Sequence, residues 1–312
     1  MNLSQPEHSK KNLVIISGPT AVGKTSVAVK IAQHFHTEII SADSRQLYRE
    51  IKIGTAVPSD DELAAVKHHM IGTLSIHDSY NAYRFETDVI KLLNNLFLHK
   101  KTVIMAGGSG LYIDAVCNGI DVIPDPDPEL RIQLNRAFDE KGITPLRNQL
   151  KLLDPEYYAS ADIANHKRII RALEVCISTG KPYSACLKKN KAPRDFHVIK
   201  IGLNRTRNEL NSRINERVDM MISKGLLEEA KQLYSYKTLN SLNTVGYREL
   251  FRYCNGQYSF DEAIEKIKTN TRRYAKKQIT WFMRDKNIKW FHPDDTAGIL
   301  EFINSKMHMG KE

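Results

Sequence analysis

In the first third of the chain, short apolar runs alternate with segments whose apolar residues recur at helical spacing. Asn12–Ser17 is a short apolar run rich in β-branched residues, which predicts a buried strand, and Lys24–Phe35 has apolar residues at helical spacing. The same pattern predicts strands at Glu38–Ser41 and Lys101–Ala106, with a helix at Tyr83–Leu98 between them. Strands that alternate with helices form parallel sheets with right-handed crossovers. The N-terminal third therefore predicts an α/β core.

The pattern changes near residue 120. Pro124-Asp125-Pro126-Asp127-Pro128 cannot continue a helix or a central strand, and every segment from Glu129 to about Leu187 has helical spacing. A further strand is predicted at Phe196–Leu203. We therefore expect a sheet core interrupted by a mostly helical insertion. The predicted segments are a first core part at 1–121, an insertion at 122–195, and a second core part at 196–312 with basic C-terminal helices; long helices are predicted at 207–234 and 261–284.

Composition narrows the class of protein. The chain has 312 residues, of which 41% are hydrophobic and 26% charged, values typical of a globular protein of about two domains. No apolar run approaches the roughly 20 residues that span a bilayer, and the polar N-terminus lacks a signal peptide, so we expect a cytoplasmic protein. We also expect a monomer. The four scattered cysteines predict free, mostly buried thiols and no zinc site.

The net charge of the chain bears on the kind of partner that it binds. Lys and Arg outnumber Asp and Glu by 46 to 36, a formal charge of +10. Such an excess indicates either a polyanionic partner, phosphate-rich or nucleic acid, or a solubility feature. Charge alone leaves these alternatives open.

The strongest motif lies between the first predicted strand and helix. Gly18-Pro19-Thr20-Ala21-Val22-Gly23-Lys24-Thr25 fits G-x-x-x-x-G-K-[ST]. The glycines allow consecutive backbone N–H groups to point at phosphate oxygens, and the following helix presents its positive end to the same anion. Lys24 adds a charge, and the Thr25 hydroxyl is a Mg²⁺ ligand in such loops. The motif therefore predicts a phosphate or pyrophosphate site, but it does not identify the compound that binds.

Asp43 follows the second predicted strand, in Ser41-Ala42-Asp43-Ser44-Arg45-Gln46. Residues just beyond the carboxyl end of a parallel strand face the same crevice as the predicted phosphate loop, residues 18–25. Asp43 could there bind Mg²⁺ or accept a proton from a nucleophile. The alternative is that it simply caps a helix, a position that favours Asp.

At this point the sequence resembles a known family, the tRNA dimethylallyltransferases (tRNA isopentenyltransferases) of the bacterial type. The resemblance rests on blocks that occur in the family's order over nearly the whole chain: the phosphate loop, Asp43–Tyr48, Ile53–Ala56, His68-His69, Gly107–Tyr112, Asn165–Glu174, Arg213–Val218, Val245–Tyr247 and Lys277–Phe282. It implies a P-loop NTPase-like parallel sheet core with a mostly helical insertion domain that binds tRNA.

The resemblance also implies a reaction. A dimethylallyl group would move from dimethylallyl diphosphate to the exocyclic amine of the adenine beside the tRNA anticodon, with release of diphosphate. Asp43 matches the family's general base, Arg217 resembles its diphosphate-contacting arginine, and Thr25 with Mg²⁺ would stabilise the departing diphosphate. The diphosphate would bind to Gly18, Pro19, Thr20, Ala21, Val22, Gly23, Lys24 and Thr25.

The implied tRNA contacts lie in both predicted domains. They are Asp43, Ser44, Arg45, Gln46, Ser109, Arg131, Lys167, Arg168, Ile169, Ile170, Arg171, Asn243, Thr244, Val245, Gly246, Tyr247, Arg248, Lys276, Lys277, Gln278, Ile279, Thr280, Trp281, Phe282 and Met283. Charge agrees with this, because Lys266–Lys289 contains nine basic residues and one acidic residue, and Lys167–Arg194 contains eight and one. A solvated helix face is the alternative for each basic run, and ordinary packing is the alternative for Tyr247.

Other functions remain open from the residues. An isopentenyltransferase that acts on free adenine nucleotides would not need the insertion or two basic faces. A P-loop kinase would need a nucleotide lid and an acceptor site, which we do not identify, and an RNA-binding switch would need switch loops. His68-His69 lacks further ligands at metal-binding spacing.

Overall fold

The structure is a computed structural model that describes residues 11–125, 127–187 and 193–308. Pro126 of the predicted boundary and Lys188, Lys189 and Lys191 of the predicted basic face lie outside the described residues. Two units are present, one formed by Met1–Asn118 with Pro193–Glu312 and the other by Gly119–Ala192. The predicted insertion, 122–195, begins and ends three residues later than the second unit (122 against 119, 195 against 192).

Among the described residues of the first unit, six strands form one parallel sheet. They are β1 (Asn12–Ser17), β2 (Ile39–Ser41), β3 (His68–His69), β4 (Thr102–Gly107), β5 (His197–Leu203) and β6 (Lys289–Phe291), in the spatial order β3-β2-β4-β1-β5-β6. The four predicted strands are confirmed. The short strands β3 and β6, which extend the two edges of the sheet, were not predicted.

The described residues form fifteen α-helices, of which α6 to α10 belong to the second unit. They are α1 (Lys24–His34), α2 (Lys52–Thr55), α3 (Asp60–Ala65), α4 (Ala82–Leu96), α5 (Gly110–Asn118), α6 (Pro128–Lys141), α7 (Ile143–Leu153), α8 (Pro155–Ser160), α9 (His166–Thr179), α10 (Tyr183–Cys186), α11 (Arg207–Ser223), α12 (Leu226–Gln232), α13 (Tyr247–Cys254), α14 (Phe260–Phe282) and α15 (Thr296–His308).

The sheet is buried on both faces, as its continuous apolar strands predict. Along β1, Val14 and Ile16 point to the side that α1 covers, whereas Leu13 and Ile15 point to the side that α4 covers. All four side chains are buried. Because the strands are parallel, the carboxyl ends of β1, β2, β4 and β5 meet at one edge of the sheet, the edge where ligands bind in open α/β sheets.

The predicted helix at 207–234 is wrong as a single element. It is two helices, α11 and α12, separated at Lys224 and Gly225. Gly225 has φ +95°, a left-handed conformation that ends a regular helix and favours glycine. The second predicted helix, 261–284, corresponds to α14.

The second unit is helical and has its own apolar core. Leu134 of α6, Leu146 and Leu150 of α7, and Leu173 of α9 are buried together. Pro128 occupies the first turn of α6, where a missing N–H costs nothing, so the proline-rich boundary leads directly into a helix.

Two sequence expectations concern the whole chain. In the ranges that the structure describes, none of the helices has both the length and the apolar character needed to cross a membrane. All four cysteines are free, as predicted, but only Cys117 and Cys176 are buried.

Candidate active site

The loop between β1 and α1 has the geometry that its motif predicts. Gly18 has φ +152° and Gly23 has φ +109°, both in the region that favours glycine. A Cβ atom at Gly18 would lie 2.6 Å from the carbonyl oxygen of Leu203. Because α1 begins at Lys24, its first N–H groups border the loop without helical partners. The Lys24 Nζ atom donates a hydrogen bond to the Pro19 carbonyl at 2.7 Å.

Two arginines hold the outer side of this loop. The Arg213 Nε atom donates to the carbonyl of Ala21 at 2.9 Å, and the Arg205 Nε atom donates to that of Val22 at 3.1 Å. Ala21 has φ +63°, which costs a residue with a Cβ atom about 1–2 kcal/mol. The guanidinium groups therefore help to hold a strained loop. Arg213 lies in a motif of the sequence, but nothing local indicates this contact.

Asp43 lies in the loop that follows β2, as predicted. Its Oδ1 atom accepts hydrogen bonds from the N–H groups of Arg45 at 2.9 Å and Gln46 at 3.4 Å. The Ser109 hydroxyl oxygen accepts a hydrogen bond from the Ser44 N–H at 2.9 Å. The Asp43 carboxylate thus closes its own turn and is partly exposed. Capping and a chemical role are compatible, because the Oδ1 atom makes both of these contacts.

Lys24, Asp43 and Arg217 share one electrostatic environment. Burial lowers the pKa of Lys24 to about 8, with the Asp43 charge opposing this shift and the Arg217 charge adding to it. Burial also lowers the pKa of Arg217, and Asp43 again opposes the shift. Arg217 projects from α11 and donates from Nη2 to the Thr55 carbonyl at 3.3 Å. Two cations and one carboxylate therefore converge beside the phosphate loop.

A cleft lined by both polar and apolar side chains opens at this point. Its cavity volume is about 90 Å³. Thr20, Asp43, Arg45 and Arg217 belong to the polar part of the lining. The apolar wall consists of Val218, Met221, Leu226, Val245 and Ile267. The chemistry of this lining therefore suits a ligand with an anionic head and a short hydrocarbon tail.

Glu229 supports this cleft from α12. Its carboxylate accepts hydrogen bonds from the N–H groups of Ile53 and Gly54, each at 2.9 Å, and from the Tyr247 hydroxyl. Gly54 packs so closely on Tyr247 that a Cβ atom there would lie 2.4 Å from its hydroxyl oxygen. Sequence reasoning missed Glu229, because its contacts lie 175 and 176 positions away.

The predicted tRNA contacts next to Asp43 are largely engaged within the protein. The Arg45 guanidinium donates to the carbonyls of Asn240 and Ser241 at 2.9 and 3.1 Å. The Gln46 side chain accepts from the Ser41 hydroxyl at 3.0 Å and donates to the Ala56 carbonyl at 3.1 Å.

The predicted contacts at 243–248 divide between the cleft and the surface. Thr244, Val245 and Gly246 line the cleft, whereas Asn243 and Arg248 are exposed. Tyr247 is fully buried at 0% exposure, so its ring packs in the core and offers no stacking face at the surface.

The predicted contacts at 276–283 lie at the end of α14 and differ in exposure. Lys276, Lys277, Thr280 and Met283 are exposed, and Gln278 and Phe282 are buried. Ile279 and Trp281 are partly buried, and the Trp281 indole N–H donates to the Asp114 carboxylate at 3.0 Å.

The predicted contacts of the second unit are also mixed. Lys167 and Arg168 are exposed in the first turn of α9. Ile169 and Ile170 are buried in the unit's core. Arg131 and Arg171 both pair with the buried carboxylate of Glu174.

The predicted Mg²⁺ can be tested against its donor set. The described residues contain no group of three or more His, Cys, Asp or Glu side chains suited to a metal. Mg²⁺ bound to a phosphate compound needs only one or two protein oxygens, since phosphates and water complete its shell. The Thr25 hydroxyl, in the first turn of α1 after the loop, is such an oxygen donor. The site therefore fits Mg²⁺ brought with a diphosphate and does not fit a metal held by protein alone.

Comparison with known proteins decides the family. A family model described as IPP transferase matches residues 46–285. The chain belongs to this family. The tRNA dimethylallyltransferase 2 of Parabacteroides distasonis is 52% identical over 296 residues, which cover 95% of this chain and 99% of the relative. The tRNA dimethylallyltransferase of Christiangramia forsetii is 53% identical over 297 residues, 95% and 98% of the two chains.

Solved structures of the family share this fold. A crystal structure of the full-length tRNA isopentenylpyrophosphate transferase of Bacillus halodurans has a TM-score of 0.71 and 35% identity, with 96% of this chain and 98% of that chain covered. A eukaryotic dimethylallyltransferase, described as acting on tRNA, has a TM-score of 0.79 and 25% identity over 97% and 80% of the two chains. The predicted family and the predicted P-loop NTPase-like fold class are confirmed.

Proposed function

We propose that this enzyme transfers the dimethylallyl group of dimethylallyl diphosphate to the exocyclic amine of the adenine beside the tRNA anticodon, with release of diphosphate. The names of relatives about half identical over nearly the whole chain support tRNA as the acceptor. The observation that carries the proposal is the cleft beside the phosphate loop, which combines Asp43 and Arg217 with an apolar wall. A phosphoryl donor would not need that wall.

The two chemical halves of the donor match the two kinds of side chain that line the cleft. The diphosphate matches the amides of the loop at 18–25 and the charges of Lys24 and Arg217, and helix N-termini favour such anions. The five-carbon group matches the apolar side chains of Val218, Met221 and Leu226. Burial of that group would exclude water from the reacting carbon.

In the proposed reaction the adenine amine nitrogen forms a bond to the allylic carbon as the bond from that carbon to the diphosphate oxygen breaks. The amine proton passes to the Asp43 carboxylate, and the electron pair leaves with the diphosphate. Positioned general bases contribute about 10²–10⁴-fold in rate. Lys24 and Arg217 stabilise charge that grows on the diphosphate in the transition state.

Mg²⁺ is the proposed cofactor. Thr25 would hold it through its hydroxyl, and when bound the ion neutralises charge on the diphosphate.

The proposed tRNA surface uses the exposed members of the predicted set. In the first unit these are Asn243, Arg248, Lys276, Lys277, Thr280 and Met283. In the second unit they are Lys167 and Arg168, whereas the exposed Arg131 is assigned to its pair with Glu174. The partly buried Ser44, Arg45, Gln46 and Ser109 would lie near the adenine. Since tRNA of bacteria is a cytoplasmic substrate, we propose a cytoplasmic enzyme.

One assay tests the function. The protein is incubated with dimethylallyl diphosphate, Mg²⁺ and an RNA anticodon stem-loop, and the RNA is digested and weighed by mass spectrometry. We expect a gain of one dimethylallyl group on a single adenine. Transfer to adenosine monophosphate but not to RNA would show that the acceptor is a free nucleotide. ATP turnover without prenyl transfer would show that the protein is a kinase.

A further inference from the structure

Gln278 joins two loops of the site through its amide. It lies on α14 and is 6% exposed. Its Oε1 atom accepts a hydrogen bond from the main-chain N–H of Thr20, in the phosphate loop, at 2.9 Å. Its Nε2 atom donates to the carbonyl oxygen of Gly108, just after β4, at 2.9 Å. One buried side chain thus fixes the separation of two loops that lie far apart in the sequence.

The contact at Gly108 depends on the absence of a side chain. A Cβ atom on that residue would lie 2.2 Å from the Gln278 Nε2 atom. The amide group is therefore seated against bare backbone, and both its oxygen and its nitrogen are already bound to the protein. This leaves no exposed amide group with which Gln278 could read an RNA base.

The same bridge extends to the proposed base. Ser109 follows Gly108, and its main-chain N–H donates to the carbonyl of Ala42 at 3.1 Å. Its hydroxyl oxygen accepts from the N–H of Ser44 at 2.9 Å. These two bonds hold the backbone on both sides of Asp43. A continuous path of hydrogen bonds therefore runs from the phosphate loop through Gln278 to the Asp43 turn.

We propose that Gln278 is a positioning residue that sets the phosphate loop and the Asp43 turn in register, and that it does not contact RNA. The proposal rests on the proposed function, since the register matters only if the loop holds the leaving diphosphate while Asp43 acts on the nucleophile. Misplacing one reacting group by about 1 Å can cost about 10²-fold in rate. This positioning role of Gln278 replaces the tRNA contact that the resemblance implies for it.

The first test is Gln278→Met, which keeps the length of the side chain and removes both hydrogen bonds. We expect the dissociation constant for inorganic pyrophosphate with Mg²⁺ to rise at least fivefold. The single-turnover transfer rate at saturating donor and stem-loop should fall at least 30-fold. The dissociation constant for the stem-loop should stay within threefold. Gln257→Met, at an exposed glutamine before α14, is the matched control.

The second test is Gln278→Glu, which keeps the acceptor for Thr20 and places a carboxylate against the Gly108 carbonyl. Burial raises the pKa of such a carboxyl group, and its protonated form can donate to the carbonyl as the amide does. We expect the ratio of its transfer rate to that of the natural chain to rise at least tenfold as pH falls from 8 to 6. The same ratio should be flat for Gln278→Met and for Gln257→Glu.

The outcomes separate this proposal from the proposed function. A stem-loop affinity that falls tenfold in Gln278→Met, with pyrophosphate affinity and rate unchanged, would establish an RNA contact and overturn it. A flat pH ratio for Gln278→Glu would also overturn it. Thermal unfolding of each variant identifies a fold defect. If the natural chain binds pyrophosphate but transfers no prenyl group, the proposed function fails, and the pyrophosphate comparison still tests the bridge.

Discussion

The Nη2 atom of Arg131 lies 2.7 Å from the Oε2 atom of Glu174, whose side chain is fully buried in the second unit. Arg171 approaches the same oxygen at 3.4 Å. Breaking a buried pair leaves an uncompensated charge, at a cost of about 3–5 kcal/mol when no partner remains. Arg131 is half exposed and Arg171 stays, so we expect Arg131→Met to lower the unfolding free energy by about 1–3 kcal/mol.

Urea unfolding followed by circular dichroism measures this change. Arg136→Met is the control, because it removes an exposed pair with Glu140 on the same helix and should change stability by less than about 0.5 kcal/mol. Unchanged stability together with weaker stem-loop binding would instead make Arg131 an RNA contact, as the resemblance implies.

Asp43→Asn tests the proposed base while it preserves the turn, because an amide oxygen can still accept from the N–H groups of Arg45 and Gln46. We expect the single-turnover transfer rate to fall at least about 100-fold with stem-loop affinity within about threefold. Quench-flow with labelled donor provides the rate. Asp61→Asn, at an exposed position of α3, should leave it unchanged. A rate near that of the natural chain would remove Asp43 from this role.

Arg217→Gln removes one of the two cations beside the phosphate loop. The charge acts on the diphosphate in both ground and transition states, so we expect KM for the donor to rise and kcat to fall, with kcat/KM lower by at least about 100-fold. Steady-state kinetics with varied donor provide both constants. Arg207→Gln, exposed in the first turn of the same helix, is the control. Equal losses in the two variants would indicate a general charge effect.

Lys24 makes diphosphate binding depend on pH. Burial lowers its pKa to about 8 in the ligand-free protein. The ammonium is therefore lost as pH rises through 8, and we expect pyrophosphate affinity to fall between pH 7 and 9. A bound anion favours the charged lysine, so binding at pH 8 should take up protons. Calorimetry in two buffers of different ionisation enthalpy measures that uptake.

The ligand itself also titrates, so Lys24→Gln serves as the reference. Pyrophosphate titrates in the same way with this variant as with the natural chain, but the variant lacks the ammonium group. We expect the affinity ratio of the natural chain to Lys24→Gln to fall about tenfold across the range. A constant ratio would mean that Lys24 stays charged throughout.

The exposed cations of α14 test the proposed RNA surface. Each phosphate contact contributes about 0.7–0.9 to the slope of log affinity against log salt concentration. We therefore expect Lys276→Gln with Lys277→Gln to reduce the slope for stem-loop binding by about 1.5. Fluorescence anisotropy at several salt concentrations measures it. The pair Lys30→Gln and Lys91→Gln, exposed on α1 and α4, is matched in charge. Equal slopes in both pairs would exclude this face.

Local patterns in the sequence were sufficient for the parallel core and its phosphate loop. Apolar β-branched runs such as Asn12–Ser17 favour buried strands, and the glycines at 18 and 23 allow the backbone conformations that the loop requires. The helix break at Gly225 escaped prediction because the apolar spacing continues across it. The edge strands β3 and β6 were not predicted, because a strand of two or three residues is too short to show a periodic pattern.

Only the tertiary structure decided what individual side chains do at the site. Gln278 contacts Thr20 across 258 positions of sequence, and Glu229 contacts Gly54 across 175. Exposed and buried residues alternate within one motif of α14, so Lys277 is available to a partner and Gln278 is not. The sequence by itself determined the chemistry that the chain contains, because motifs and periods are local. The fold determined which groups meet, because hydrogen bonds and burial depend on distances that no local pattern encodes.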